Sequence, residues 1–120
     1  MSRILVCDDS AFMRMMLKKL LTDMGHEIAG EAGDGKQAVQ LYRQHQPDLV
    51  TMDITMPIMD GIEAVKHIHE TDPSARIIMV TAIGQRSIIA DAIKAGAASF
   101  IVKPFEPEQV EETVNKVLTT

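Results

Sequence analysis

Arg3-Ile4-Leu5-Val6-Cys7-Asp8-Asp9-Ser10 decides how the whole chain is read, because a short apolar run stops on two adjacent carboxylates and a helical pattern follows at once. An unbroken apolar run bounded by charge is the pattern of a strand buried on both faces, as in parallel sheets. From Phe12 to Met24 the period becomes helical. Phe12, Met13, Met16, Leu17, Leu20, Leu21 and Met24 form one stripe expected to face the core, Arg14, Lys18 and Lys19 point away, and Gly25 supplies the stop.

The same strand-then-helix unit recurs along the chain. Glu27 to Ala32 reads as a strand and Asp34 to about His45 as a helix with Ala38, Val39 and Tyr42 inward, closed by Pro47. Asp48 to Met52 is the third strand. The loop from Asp53 to Asp60 carries Pro57, Gly61 follows it, and Ile62, Val65 and Ile68 make the next stripe before Asp72-Pro73. Arg76 to Val80 is a fourth strand, and the helix after it turns Ile88, Ile89, Ala92 and Ile93 to one side and ends at Gly96. Ser99 to Val102 is the fifth. The last helix has Pro107 near its first turn, acids early and Lys116 late, as the helix dipole favours.

Strands alternating with helices of this length imply right-handed crossovers and a parallel sheet covered on both faces. The expected fold is therefore α/β: a flavodoxin-like, doubly wound, five-stranded parallel sheet in the order 2-1-3-4-5 with five helices. With no linker or low-complexity segment, residues 1–120 read as a single domain, and 120 residues are enough to bury a sizeable core. A net charge of -5, no Trp and one Tyr leave neither a basic footprint nor a stacking platform, so no nucleic-acid partner is expected. Cys7 is the only cysteine, which rules out an intramolecular disulfide. The first apolar run is too short for a signal peptide or a membrane span, so a reducing, cytoplasmic setting without membrane insertion is expected.

In a parallel sheet the carboxyl ends of the strands share one rim, where ligands bind. Asp8 and Asp9 follow the first strand, Asp53 the third, Thr81 the fourth and Lys103 the fifth. Three carboxylates this close repel one another unless a cation neutralises them. Oxygen-only ligands with room for water suit Mg2+ better than Ca2+, which needs a fuller cage. Beside such an ion a carboxylate can act as a nucleophile toward phosphorus, as in the aspartyl phosphates of transport ATPases. Asp53, alone on a central strand, is the candidate nucleophile; Asp8 and Asp9 suit the metal, and Lys103 and Thr81 would donate to the phosphoryl oxygens. Taken singly, Thr81 is as readily a hydroxyl marking where a buried strand reaches water.

The motifs Asp8-Asp9-Ser10, Met52-Asp53-Ile54-Thr55-Met56-Pro57 with Asp60-Gly61, Thr81-Ala82 and Lys103-Pro104-Phe105 resemble, over the whole chain and in the same order, those of response-regulator receiver domains. The resemblance implies that Asp53 is the phosphorylation site, that Asp8, Asp9, Asp53 and the backbone carbonyl of Thr55 share the magnesium ion, and that Thr81 and Lys103 contact the phosphoryl group. It also implies a cis Lys103-Pro104 bond and a switch in which Phe100 turns inward as Thr81 moves. From the residues alone, Phe100 reads as a core aromatic.

Ser10-Ala11-Phe12-Met13-Arg14 with Leu17-Lys18 is similar to the first helix of the family's stand-alone chemotaxis members. That likeness implies a diffusible, monomeric messenger, phosphorylated by a CheA-like histidine kinase, binding the flagellar motor switch and reset by a phosphatase. Thr55 and Ile83 depart from the enteric form, which carries Asn and Glu there, leaving the phosphate lifetime and the identity of the phosphatase open.

Gly30 to Lys36 reads G-x-x-x-x-G-K, but Gln37 stands where a P-loop needs Ser or Thr and two acids would repel phosphate, so it reads as a strand-to-helix turn. His67 and His69 fall on different helix faces and do not suit a shared metal; His26 and His45 border loops. Three other functions compete. A metal-dependent phosphatase would need a second Asp two residues after Asp53, where Thr55 stands. An interaction module without phosphorylation would not require all five chemical residues, and a phosphorelay intermediate would pass its phosphoryl group to a phosphotransferase.

Overall fold

The computed structural model describes residues 2–82 and 86–120. Strands and helices alternate throughout: β1 (Arg3–Cys7), α1 (Ala11–Asp23), β2 (Glu27–Ala32), α2 (Gly35–His45), β3 (Leu49–Asp53), α3 (Gly61–Thr71), β4 (Ile77–Thr81), α4 (Arg86–Ala95), β5 (Ser99–Val102) and α5 (Pro107–Leu118). All strand pairs are parallel and their order is β2-β1-β3-β4-β5, the doubly wound arrangement expected. The order reverses between β1 and β3, which puts a crevice above Cys7 and Asp53.

Side chains alternate along each strand and so build two cores. Leu5, Cys7, Val50, Met52, Ile77 and Met79 pack on one face against Ala38, Val39 and Tyr42 of α2, Val65 and Ile68 of α3, and Ala92 of α4. Ile4, Val6, Leu49, Ile78 and Ile101 pack on the other against Leu17 and Leu21 of α1 and Val110, Val114 and Val117 of α5. Burying each Leu or Val side chain contributes roughly 1.5–3 kcal/mol, enough to hold the strand tips in register. α1 ends as expected at a glycine in the left-handed region, Gly25 with φ 94, whose N–H donates to Thr22 O while that of His26 donates to Leu21 O.

Four readings of the pattern are corrected. β3 and β4 each run one residue further than expected, because Asp53 still pairs with Val80 and Thr81 with Val102. In α1 only Leu17 and Leu21 are fully buried, while Phe12 is 62% and Met16 38% exposed. Met13 and Met16 border an open hollow shared with Ala82, Lys103, Pro104 and Phe105. Ile93 is exposed because α4 sits on its alanines, Ala92 and Ala95. Phe100 is 41% exposed on the edge strand β5, where Ile101 takes the position facing α5, so it is not a core aromatic in this state.

Candidate functional site

Asp8, Asp9 and Asp53 each offer a carboxylate oxygen, and the three oxygens lie within 4.8 Å of one another. They are held differently. Asp8 is buried and fully engaged: Oδ1 accepts from Ser10 N at 2.9 Å and Oδ2 from Lys103 Nζ at 3.0 Å. Ser10 is also the N-cap of α1, its Oγ accepting from Met13 N at 3.3 Å, so the helix start and the acid pair are one construction. Asp9 faces solvent. Asp53, the last residue of the central strand β3, is buried.

Among the described residues Lys103 is the cation paired with these acids, with Nζ 3.0 Å from Asp8 and 3.6 Å from Asp53. It leaves β5 through N–H donation to Thr81 O at 2.6 Å and precedes a cis bond to Pro104, as the family resemblance implied. Thr81 is buried at the tip of β4. Thr55 stands exposed in the loop after Asp53, and Phe100 lies further down β5. Ile83, the other departure from the enteric form, lies outside the described residues. An apolar hollow of about 400 Å³ lined by Met13, Met16, Ala82, Lys103, Pro104 and Phe105 borders the site.

The electrostatics follow from that crowding. Burial first, and then the neighbouring Asp8, push the Asp53 carboxyl up from 3.8 to about 6, against the pull of Lys103. One lysine does not neutralise three acids. An all-oxygen donor set with an exposed member, excess negative charge and a raised carboxyl proton affinity fits a hard divalent cation such as Mg2+. Asp8, Asp9 and Asp53 are the side chains that would hold it.

One participant was missed in the sequence. Arg14, read as pointing away, donates through Nη1 to the Asp8 carbonyl at 2.6 Å and through Nε to Glu31 at 3.1 Å, where Lys18 also bonds at 2.7 Å. Those contacts hold the Glu31 carboxyl below its usual range, the Lys18 hydrogen bond foremost. Helix periodicity gives the direction of Arg14 but not the presence of β2 beside it. The histidines share no site: His67 lies 3.6 Å from Glu63, and the buried His69 Nδ1 has no hydrogen-bond partner among the described residues.

Residues 4–115 match the family model of the response regulator receiver domain. The chain is 56% identical over 115 residues to the chemotaxis protein CheY of Thermotoga maritima, covering 96% of each chain. It is 59% identical over 116 residues to the chemotaxis protein CheY of Bacillus subtilis, covering 97% of each. A chain of the crystal structure of a CheX-CheY-BeF3-Mg complex from Borrelia burgdorferi superposes with a TM-score of 0.93 at 41% identity, over 96% of this chain and 87% of that one.

Proposed function

The chain belongs to the response regulator receiver family, and we propose that it is a chemotaxis messenger switched by phosphorylation of Asp53. The observation that carries this reading is the convergence of Asp8, Asp9 and Asp53 within 4.8 Å, with Lys103 beside two of them. In the transfer step a carboxylate oxygen of Asp53 forms a bond to phosphorus as the phosphorus–nitrogen bond of a donor phosphohistidine breaks. The electron pair leaves with the imidazole, and Asp53 becomes an acyl phosphate. Lys103 Nζ, 3.0 Å from Asp8 and 3.6 Å from Asp53, binds one phosphoryl oxygen and the Thr81 hydroxyl another. Asp8, Asp9, Asp53 and the Thr55 carbonyl would hold Mg2+, which would supply positive charge against the carboxylates and the phosphoryl oxygens.

A phosphoryl group adds roughly 1.5 to 2 negative charges at Asp53. The Thr81 hydroxyl is drawn toward it, and Phe100, exposed here, turns into the space Thr81 leaves. A coupling of about 1–3 kcal/mol through these two side chains changes partner affinity roughly 5- to 150-fold. The donor is a CheA-like histidine kinase and the receiver of the signal a flagellar motor switch protein. A phosphatase ends it, and the Borrelia complex of CheY with CheX offers a precedent for a further partner. The messenger acts as a monomer in the cytoplasm, and no described helix is long and apolar enough to cross a membrane.

The test is incubation with acetyl phosphate and Mg2+, followed by mass spectrometry for a base-labile phosphoryl adduct on the peptide containing Asp53. The adduct is expected in the native chain and absent from Asp53→Asn and from the chelated control. Phosphorylation elsewhere, or none, would end the reading.

A further inference from the structure

Gly35 opens α2, across from the loop that follows Asp53. The first turn of that helix is fixed: Asp34 Oδ1 accepts from Gln37 N at 2.7 Å, and Gln37 Oε1 accepts from Gly33 N at 2.8 Å. A Cβ on Gly35 would stand 2.0 Å from the carbonyl oxygen of Met59, 2.7 Å from its carbonyl carbon and 2.9 Å from its Cβ. A carbon–oxygen contact normally needs about 3.3 Å, so any side chain here displaces the Met59 backbone, or α2, by more than about an ångström.

The other end of the loop is seated in the same way. Gly61 N donates to Ile54 O at 2.8 Å, and a Cβ on Gly61 would lie 2.0 Å from the carbonyl oxygen of Asp53. Between the two seats the chain turns sharply, with Met59 N donating to Pro57 O at 2.7 Å and Ile58 at φ 70. A β-branched residue in the left-handed region is strained, and such a conformation persists only where its surroundings impose it. Gly35 is the seat nearer the turn.

We infer that Gly35 is a positioning residue for the magnesium site: the backbone of α2 is the rest against which Met59 sets the loop, and so the carbonyl of Thr55. The inference rests on the proposed role of that carbonyl. Mg2+ accepts ligands only near 2.0–2.1 Å in an almost ideal octahedron, so an ångström of loop displacement costs affinity even with every carboxylate in place.

The probe is Mg2+ alone, titrated by calorimetry into the full chain without a phosphodonor. Gly35→Ala is expected to bind about tenfold more weakly than the native chain, or worse. Gly25→Ala is the matched control, since its φ of 94 makes any side chain strained while nothing lies within 4 Å of the added carbon. It is expected to lower the thermal midpoint yet keep native Mg2+ affinity. Native affinity in Gly35→Ala, or an equal loss in Gly25→Ala, overturns the inference.

Should Gly35→Ala fail to fold, an amide NMR titration of the native chain decides. The Gly35 resonance is expected to move with Mg2+ in step with that of Asp53 while Gly25 stays still, and an unmoved Gly35 overturns the inference. A native chain that binds no Mg2+ by either method removes the reading of the metal site as well.

Discussion

At the amino ends of the strands Ser2 and Arg3 find separate hydrogen-bond partners, whereas at the carboxyl ends three acids gather around one lysine that reaches two of them. Arg3 N donates to Asp48 Oδ2 at 2.8 Å, its Nη1 to His45 O at 2.9 Å, and Ser2 N to His26 Nδ1 at 3.2 Å. At the other rim Lys103 spans Asp8 and Asp53, and burial with the neighbouring Asp8 pushes the Asp53 carboxyl up to about 6. The same strands thus end in satisfied hydrogen bonds below and in uncompensated charge above. A raised carboxyl among gathered acids marks the carboxyl rim, and not the amino rim, as the functional one, and its charge suits a cation.

The difference is broken most strongly at Lys103. Lys103→Met is expected to slow phosphorylation from acetyl phosphate on the order of 100-fold, because a donor to the phosphoryl oxygens is lost. Its Mg2+ affinity should rise, as a competing cation is gone; stopped-flow kinetics and calorimetry separate the two. A variant as fast as the native chain would place Lys103 outside the transfer.

A smaller effect follows from Asp53 itself. Its folded value of about 6 lies above the ordinary 3.8, so between them the folded chain holds a proton that the unfolded chain has released. Stability from this group is therefore present below roughly pH 4, falls as the pH rises to about 6 and stays lost above. In the absence of Mg2+, Asp53→Asn should be more stable than the native chain at neutral pH by on the order of 2 kcal/mol, with the advantage gone near pH 4. Urea unfolding at the two pH values measures it, and an advantage independent of pH would contradict the cause given.

Thr51 lies on β3 two residues before Asp53, fully buried, with an Oγ1 that has no hydrogen-bond partner among the described residues. Thr51→Val removes an unpaired polar atom at nearly constant shape and should stabilise the fold by about 1 kcal/mol. The smallest effect belongs to the amino rim. Asp48→Ala removes one exposed hydrogen bond, costs about 0.5–1 kcal/mol in the same unfolding assay, and should leave phosphorylation within twofold of native. A larger kinetic change would mean that the two rims are coupled.

Much of this was legible before any coordinates, and the reasons are local. The change from a short apolar run to a helical period after Ser10 and Asp34 marks the units, and parallel strands leave little choice about which ends share a rim. Lys103 and Asp8 are separated by 95 positions, yet topology alone brought them to one crevice. What escaped depended on what lies opposite each side chain. Phe12, Met16, Ile93 and Phe100 have the right period but are only partly covered by the described residues. Arg14 needs β2 beside it, and the demand on Gly35 comes from Met59, which no pattern around either residue reveals.

The frustration of the upper rim is tested most directly by following the Asp53 side-chain carbonyl carbon by NMR through a pH titration, with and without Mg2+. A midpoint near 6 is expected in the metal-free chain, shifting well downward when Mg2+ saturates the site. A midpoint near the ordinary carboxylate value that Mg2+ leaves unmoved would mean that the three acids neither strain one another nor share an ion.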